Sequence, residues 1–298
     1  NPMQSIDNYD FLDISFKDLM QKRIYRVLII CSNYDFFLLE EDGRIDEQIF
    51  NEYVSLNLRY PPVFVQADSA EKAFQLLEDE PIDLVINMLS VSGVDPFELG
   101  NRIKARHSHV PIVVLTPFSR EVRQKLQNED LRSIDYVFSW LGDSSILLAI
   151  IKLIEDKMNL QHDVLFEGVQ AVLLIEDSIR FYSSYLPIMY RIILQQSQAF
   201  MTEGLNEYRG MMRMRGRPKI ILATNYEDAV RLFHLYRSNL LGVVSDIKYP
   251  RNGVKDTGAG FRFFRLVREY DNYLPFVFQS SDIQSRKRAN ECGAAFLH

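Results

Sequence analysis

Short apolar runs, each closed by a polar or turn-forming residue, recur along this chain between segments of helical periodicity. RVLIICS (residues 26–32), PVFVQAD (62–68), DLVINML (83–89), PIVVLT (111–116) and DYVFSWL (135–141) are such runs. Their shortness and β-branched content predict strands buried on both faces of a parallel sheet. Between them, residues 36–58 read as helical with a break at Asp42-Gly43, and residues 69–80 as a helix with Ser69 as N-cap. A helix starting at Pro96 carries proline in its first turn, and residues 144–158 carry an apolar stripe at helical spacing. Strand and helix alternate five times, which predicts a doubly wound α/β domain. Residues 1–21 read as a lead-in, acidic and dotted with aromatics, with a short helix.

The polar NLQHDV stretch then reads as part of a linker, residues 160–168, after which the alternation starts again. A repeat of whole-domain size follows. Its strands are VQAVLLIE (169–176), KIILAT (219–224), LLGVVSD (240–246), PFVFQS (275–280) and AAFLH (294–298). The first helix of this half is long, running from Ser178 toward Met212, with Pro187 inside it where a kink is expected. It is expected to lie against the first half. The expected organisation is a first domain over 22–159 and a second over 169–298. The second is truncated in its fifth strand, as in a fragment of a longer protein.

Composition narrows the class. With 298 residues, 47% apolar and 25% charged, the chain has the size and balance of a two-domain globular protein. A net charge of -6 gives no reason to expect nucleic acid as a partner. No run reaches the length of a membrane span, and the opening residues show no signal-peptide pattern. Two cysteines, Cys31 and Cys292, stand in apolar sequence surroundings, which suits a reducing compartment. A cytoplasmic location is the expectation.

The candidate chemistry lies at strand ends. LLGVVSDIKYP (240–250) runs from an apolar strand into Asp246, and AVLLIED (171–177) ends in Glu176 and Asp177. Open α/β sheets bind ligands at the carboxyl ends of their strands. Three carboxylates gathered there repel one another unless a cation sits among them, and Mg2+ suits a set of hard oxygen ligands.

These motifs carry a resemblance. Glu176-Asp177 after the first strand, Asp246 with Pro250 four residues on, Ser280 ending the fourth strand and Phe296 in the fifth resemble the pattern of response-regulator receiver domains. The resemblance implies a flavodoxin-like fold and a two-component signalling role. It implies that Asp246 accepts a phosphoryl group, that Ser280 hydrogen-bonds it, and that Phe296 is the aromatic switch. It further implies that Glu176, Asp177, Asp246 and the backbone carbonyl of Lys248 bind Mg2+. The lysine of that family would come just after His298. The loop between Pro250 and Gly260 is about six residues longer than is usual in receivers, with turn signals at Asn252-Gly253 and Gly258.

The first half resembles a receiver that has lost its site. Cys31 and Ser32 stand where the acid pair belongs, Met88 at the phosphoacceptor, Ser92 at the proline and Ser139 at the lysine; Thr116 and Tyr136 keep family identity. A thioether is no ligand for a hard cation, so this half is expected to be a docking or regulatory pseudo-receiver.

The whole chain is also similar to the amino-terminal region of bacterial proteins in which paired receiver-like domains precede a part resembling pyruvate phosphate dikinase or phosphoenolpyruvate synthase. LEEDGRIDEQIFNEYVSLNLRYPP (39–62) and residues 200–223 carry that likeness. No dikinase domain lies within these residues. The partners implied are a histidine kinase or phosphotransfer protein and a fused or separate output domain. A homodimer stays open.

Other constellations are weaker. His107 and His109 lack a nearby acid or cysteine and read as a solvated loop. Arg209, Arg213, Arg215, Arg217 and Lys219, interleaved with methionines, read as an exposed helix end or docking surface. Two rival functions stand against the receiver. A haloacid-dehalogenase-like phosphatase wants an aspartate where Lys248 stands. An unphosphorylated interaction scaffold, regulating a fused dikinase-like enzyme, is countered by the intact acids.

Overall fold

The computed structural model describes residues 18–40, 43–56, 58–88, 95–117, 131–140, 142–199 and 215–298. In the first half the elements run β1 (Arg26–Ile30), α1 (Asn33–Leu39), α2 (Ile45–Ser55), β2 (Val63–Ala67), α3 (Ala70–Asp79), β3 (Leu84–Met88), α4 (Pro96–Arg106), β4 (Ile112–Pro117), β5 (Tyr136–Trp140) and α5 (Ser145–Leu160). The second half continues with β6 (Ala171–Ile175), α6 (Ile179–Ala199), β7 (Lys219–Ala223), α7 (Tyr226–Tyr236) and β8 (Leu240–Asp246). A short hairpin, β9 (Tyr249–Arg251) and β10 (Val254–Asp256), precedes α8 (Ala259–Tyr270), β11 (Phe276–Gln279), α9 (Ser285–Glu291) and β12 (Ala295–Leu297).

Each half holds a five-stranded, all-parallel sheet, in the orders β2-β1-β3-β4-β5 and β7-β6-β8-β11-β12. Counted within its own half, each is strand order 2-1-3-4-5, the flavodoxin-like doubly wound fold. The apolar runs behave as their composition demands: Leu84, Val85, Ile86 and Met88 of β3 and Ile220, Ile221, Leu222 and Ala223 of β7 are buried. The helix-start signals work too. The Ser69 hydroxyl accepts from the Lys72 amide, and Asp95 accepts from the amides of Phe97 and Glu98 ahead of Pro96.

Two sequence expectations need correction. Residues 161–166, expected as a polar linker, form a π-helical turn continuous with α5, with Asp163 and Val164 buried. Arg217 and Lys219, expected on an exposed basic surface, are both buried. The acids they lack in sequence come from α5 and the turn after it: Arg217 pairs with Asp156 at 2.7 Å and Lys219 with Asp163 at 3.0 Å. Of the two cysteines, Cys31 is buried and Cys292 exposed. Arg209, Arg213 and Ser92 lie outside the described residues, as does the stretch of the long helix beyond Ala199.

The two sheets share one apolar core. Val27, Ile29, Leu84, Ile86 and Phe138 of the first sheet meet Ile146, Leu147, Ile150, Ile151 and Ile154 of α5 in it. Leu186, Tyr190 and Leu194 of α6 join them, with Leu174, Ile220 and Leu222 of the second sheet. Each half also seals an open sheet edge of the other. At edge strand β5, the Ser139 amide donates to Ser183 Oγ at 2.9 Å, and the Tyr182 hydroxyl donates to the Val137 carbonyl. At edge strand β7, the Ile220 amide donates to Asp156 of α5 at 3.0 Å. Unpaired edge groups invite association with other chains, and here side chains of α5 and α6 occupy some of them. The long helix thus lies against the first half.

Candidate functional site

The second half delivers three carboxylates to one sheet edge. β6 and β8 are parallel neighbours with Ile175 opposite Ser245. The residues that follow are therefore Glu176 and Asp177 on one side and Asp246 on the other. One carboxylate oxygen from each of the three lies within 4.8 Å of the other two. Among the described residues this is the one group of three or more His, Cys, Asp or Glu side chains placed to hold a metal ion.

Their surroundings differ. Glu176 is buried; its Oε1 accepts from the Ser178 amide at 2.9 Å and its Oε2 from Gln279 Nε2 at 2.8 Å. Burial, and then the charge of Asp246, push its carboxyl up to about 8. Asp246 is half-buried and accepts from the Ile247 amide at 2.7 Å; burial raises its carboxyl against the pull of that bond. Asp177 is held by Lys255 of β10, whose ammonium lies 2.7 and 2.8 Å from its two oxygens.

The strand end carrying Asp246 is fixed by close backbone packing. A Cβ at Gly260, in the first turn of α8, would meet the Asp246 carbonyl oxygen at 2.5 Å and Ile247 Cα at 2.9 Å. The Gly260 amide donates to the Ile247 carbonyl at 3.0 Å. Only glycine lets α8 seat so directly on this edge.

Ser280 follows Gln279, the register partner of Asp246, and so stands one residue past the acid on the neighbouring strand. Its Oγ accepts from the Asp282 amide at 3.1 Å. Phe296 of β12 pairs in register with Phe278 and is half-buried, with the Arg286 guanidinium 5.6 Å from its ring centre. Lys248, two residues past Asp246, turns its ammonium to Asp282 at 3.3 Å, with side chains 42% and 39% exposed.

Two site residues were not legible in the sequence. Gln279 is the last residue of β11, where alternation alone does not reveal a hydrogen bond to Glu176. Lys255 is carried by the extra loop after Pro250. Its signal was Asn252-Gly253, because positive φ at both residues (51° and 75°) builds the tight turn that makes the hairpin.

Among the described residues, the corresponding edge of the first half holds no such cluster of acids. Cys31 is buried, its thiol pushed up to about 12 chiefly by burial, and Met88 is buried at the end of β3. Ser32 caps α1 by accepting from the Asp35 amide. Ser139 and Thr116 are buried.

No family model and no curated protein matches the sequence. Among solved structures, the chain is similar to response-regulator receiver domains. One is the response regulator protein TrrA of Thermotoga maritima in complex with Mg2+-BeF: 19% identity, 43% of this chain, 97% of that chain, TM-score 0.34. Another is the signal receiver domain of an HD domain-containing protein from Pseudomonas fluorescens Pf-5: 23% identity, 47% of this chain, 97% of that chain, TM-score 0.30. A third is a response regulator receiver domain protein from Clostridium thermocellum: 17% identity, 46% of this chain, 98% of that chain, TM-score 0.32.

Proposed function

We propose that the second half is a receiver that accepts a phosphoryl group on Asp246 in two-component signalling, and that the first half is an inert pseudo-receiver. The observation that carries this reading is the convergence of Glu176, Asp177 and Asp246 at the edge between β6 and β8. The donor set fits Mg2+: three hard carboxylate oxygens, close enough to repel, at a rigid strand edge. Glu176, Asp177, Asp246 and the Lys248 carbonyl would hold the ion, which when bound neutralises charge on a transferring phosphoryl group.

The chain's own residues position the reaction. A carboxylate oxygen of Asp246 attacks the phosphorus of a phosphohistidine or a small acyl phosphate. The bond from phosphorus to the leaving nitrogen or oxygen breaks, and the leaving group departs with the electron pair. The product is an aspartyl phosphate at position 246. Ser280 stands on the adjacent strand to hydrogen-bond the new group, and Phe296 would repack as that contact forms. A histidine kinase or phosphotransfer protein would be the donor, and an output domain, dikinase-like or otherwise, would read the change. The shared core suits the first half to carry that change through α6.

Calorimetric titration with MgCl2 tests the metal part of this reading. One site is expected in the full chain, and Asp177→Asn should weaken it at least roughly tenfold by removing one of three anionic ligands. Equal binding by the variant would mean that Asp177 is no ligand.

A further inference from the structure

Lys255 reaches the acids from outside the five-stranded frame. It lies on β10 of the hairpin, opposite Pro250 in the β9 pairing. The hairpin is anchored apart from the acids. The Asn252 amide donates to Glu227 of α7 at 2.9 Å, Asp256 accepts from Arg262 at 3.1 Å and from the Gly258 amide at 2.8 Å, and Tyr249 at its base is buried. The backbone therefore holds Lys255 over Asp177 independently of the ion pair. Strand alternation turns Asp256 the other way, toward α8.

We propose that Lys255 is the cation this site carries for itself. Without a divalent ion its ammonium engages both oxygens of Asp177, and an entering ion must displace it, so the hairpin sets the metal affinity of the site. This rests on the metal reading above.

Electrostatics favours competition over cooperation. The ammonium and the ion need the same Asp177 oxygens, and a positive charge so near a divalent cation opposes its entry. The pair is partly exposed, with side chains 52% and 20% accessible, so its own contact energy is small and displacement is feasible.

Titration of the full chain with MgCl2 at low ionic strength decides it. Lys255→Gln is expected to bind about tenfold more tightly than wild type, from removal of the competing charge. Lys255→Arg, which keeps the charge and can engage both Asp177 oxygens as a fork, should bind no more tightly than wild type. Binding by Lys255→Gln alone would support the proposal more strongly. Equal or weaker binding by Lys255→Gln, where wild type binds, would overturn it and leave the metal reading intact. No binding by either protein would overturn both.

Discussion

Arg217→Met is expected to lower the stability of the full chain by about 3–5 kcal/mol, the cost of breaking a buried ion pair by removing one partner. Arg217 Nη2 donates to Asp156 Oδ1 at 2.7 Å and Nη1 to Oδ2 at 3.1 Å, with both side chains buried. Without the guanidinium, Asp156 keeps the Tyr190 hydroxyl at 2.8 Å and the Ile220 amide at 3.0 Å, both neutral donors. The nearest remaining cation, Lys219, stands 3.9 Å away and also serves Asp163. Asp156 belongs to α5 and Arg217 leads into β7, so the pair ties the halves together. Urea unfolding at neutral pH should show one transition in wild type and a lower midpoint in the variant. Adding Asp156→Asn to Arg217→Met should cost less than the sum of the single changes, because the two act on one interaction. A loss below about 1 kcal/mol, well under the cost of an uncompensated buried charge, or two transitions in wild type, would contradict this account of the interface.

Glu176→Gln is expected to stabilise the metal-free protein near pH 8 by on the order of 2–4 kcal/mol, and by little near pH 5. Burial and the charge of Asp246 raise the folded-state carboxyl from 4.5 to about 8. Between those values the folded chain binds a proton that the unfolded chain has released. Stability therefore falls as pH rises through that window. Glutamine carries no such charge, so the gap between variant and wild type should widen from the acidic to the alkaline end. Thermal unfolding in a chelating buffer at both ends measures it, and an equal gap at both would rule out a buried charge as the cause. With Mg2+ present the order should reverse, since the variant lacks an anionic ligand.

Much of the fold was legible because apolar runs and helical periodicity are local signals. The apolar residues of β3 and β7 are buried throughout, as their composition requires. Ser69 and Asp95 start helices where their short polar side chains accept amide protons. The acids were visible because each ends an apolar run. What stayed hidden was long-range. Arg217 and Lys219 look exposed in a sequence window that holds no acid, since their partners lie on α5 and the turn after it. Residues 161–166 look like a linker because their polar side chains, Asp163 above all, serve partners distant in sequence. Lys255 was hidden for the same reason: a turn signal predicts a hairpin, but not which side chain it holds over which acid.

The most direct test of the central claim is to map the site of phosphorylation. The full chain, incubated with acetyl phosphate and MgCl2, is digested and its acyl phosphates located by mass spectrometry, with Asp246→Asn in parallel. The account predicts one phosphoryl group, on Asp246, absent without Mg2+ and absent from the variant. Label elsewhere, in the first half above all, or undiminished label in Asp246→Asn, would contradict it.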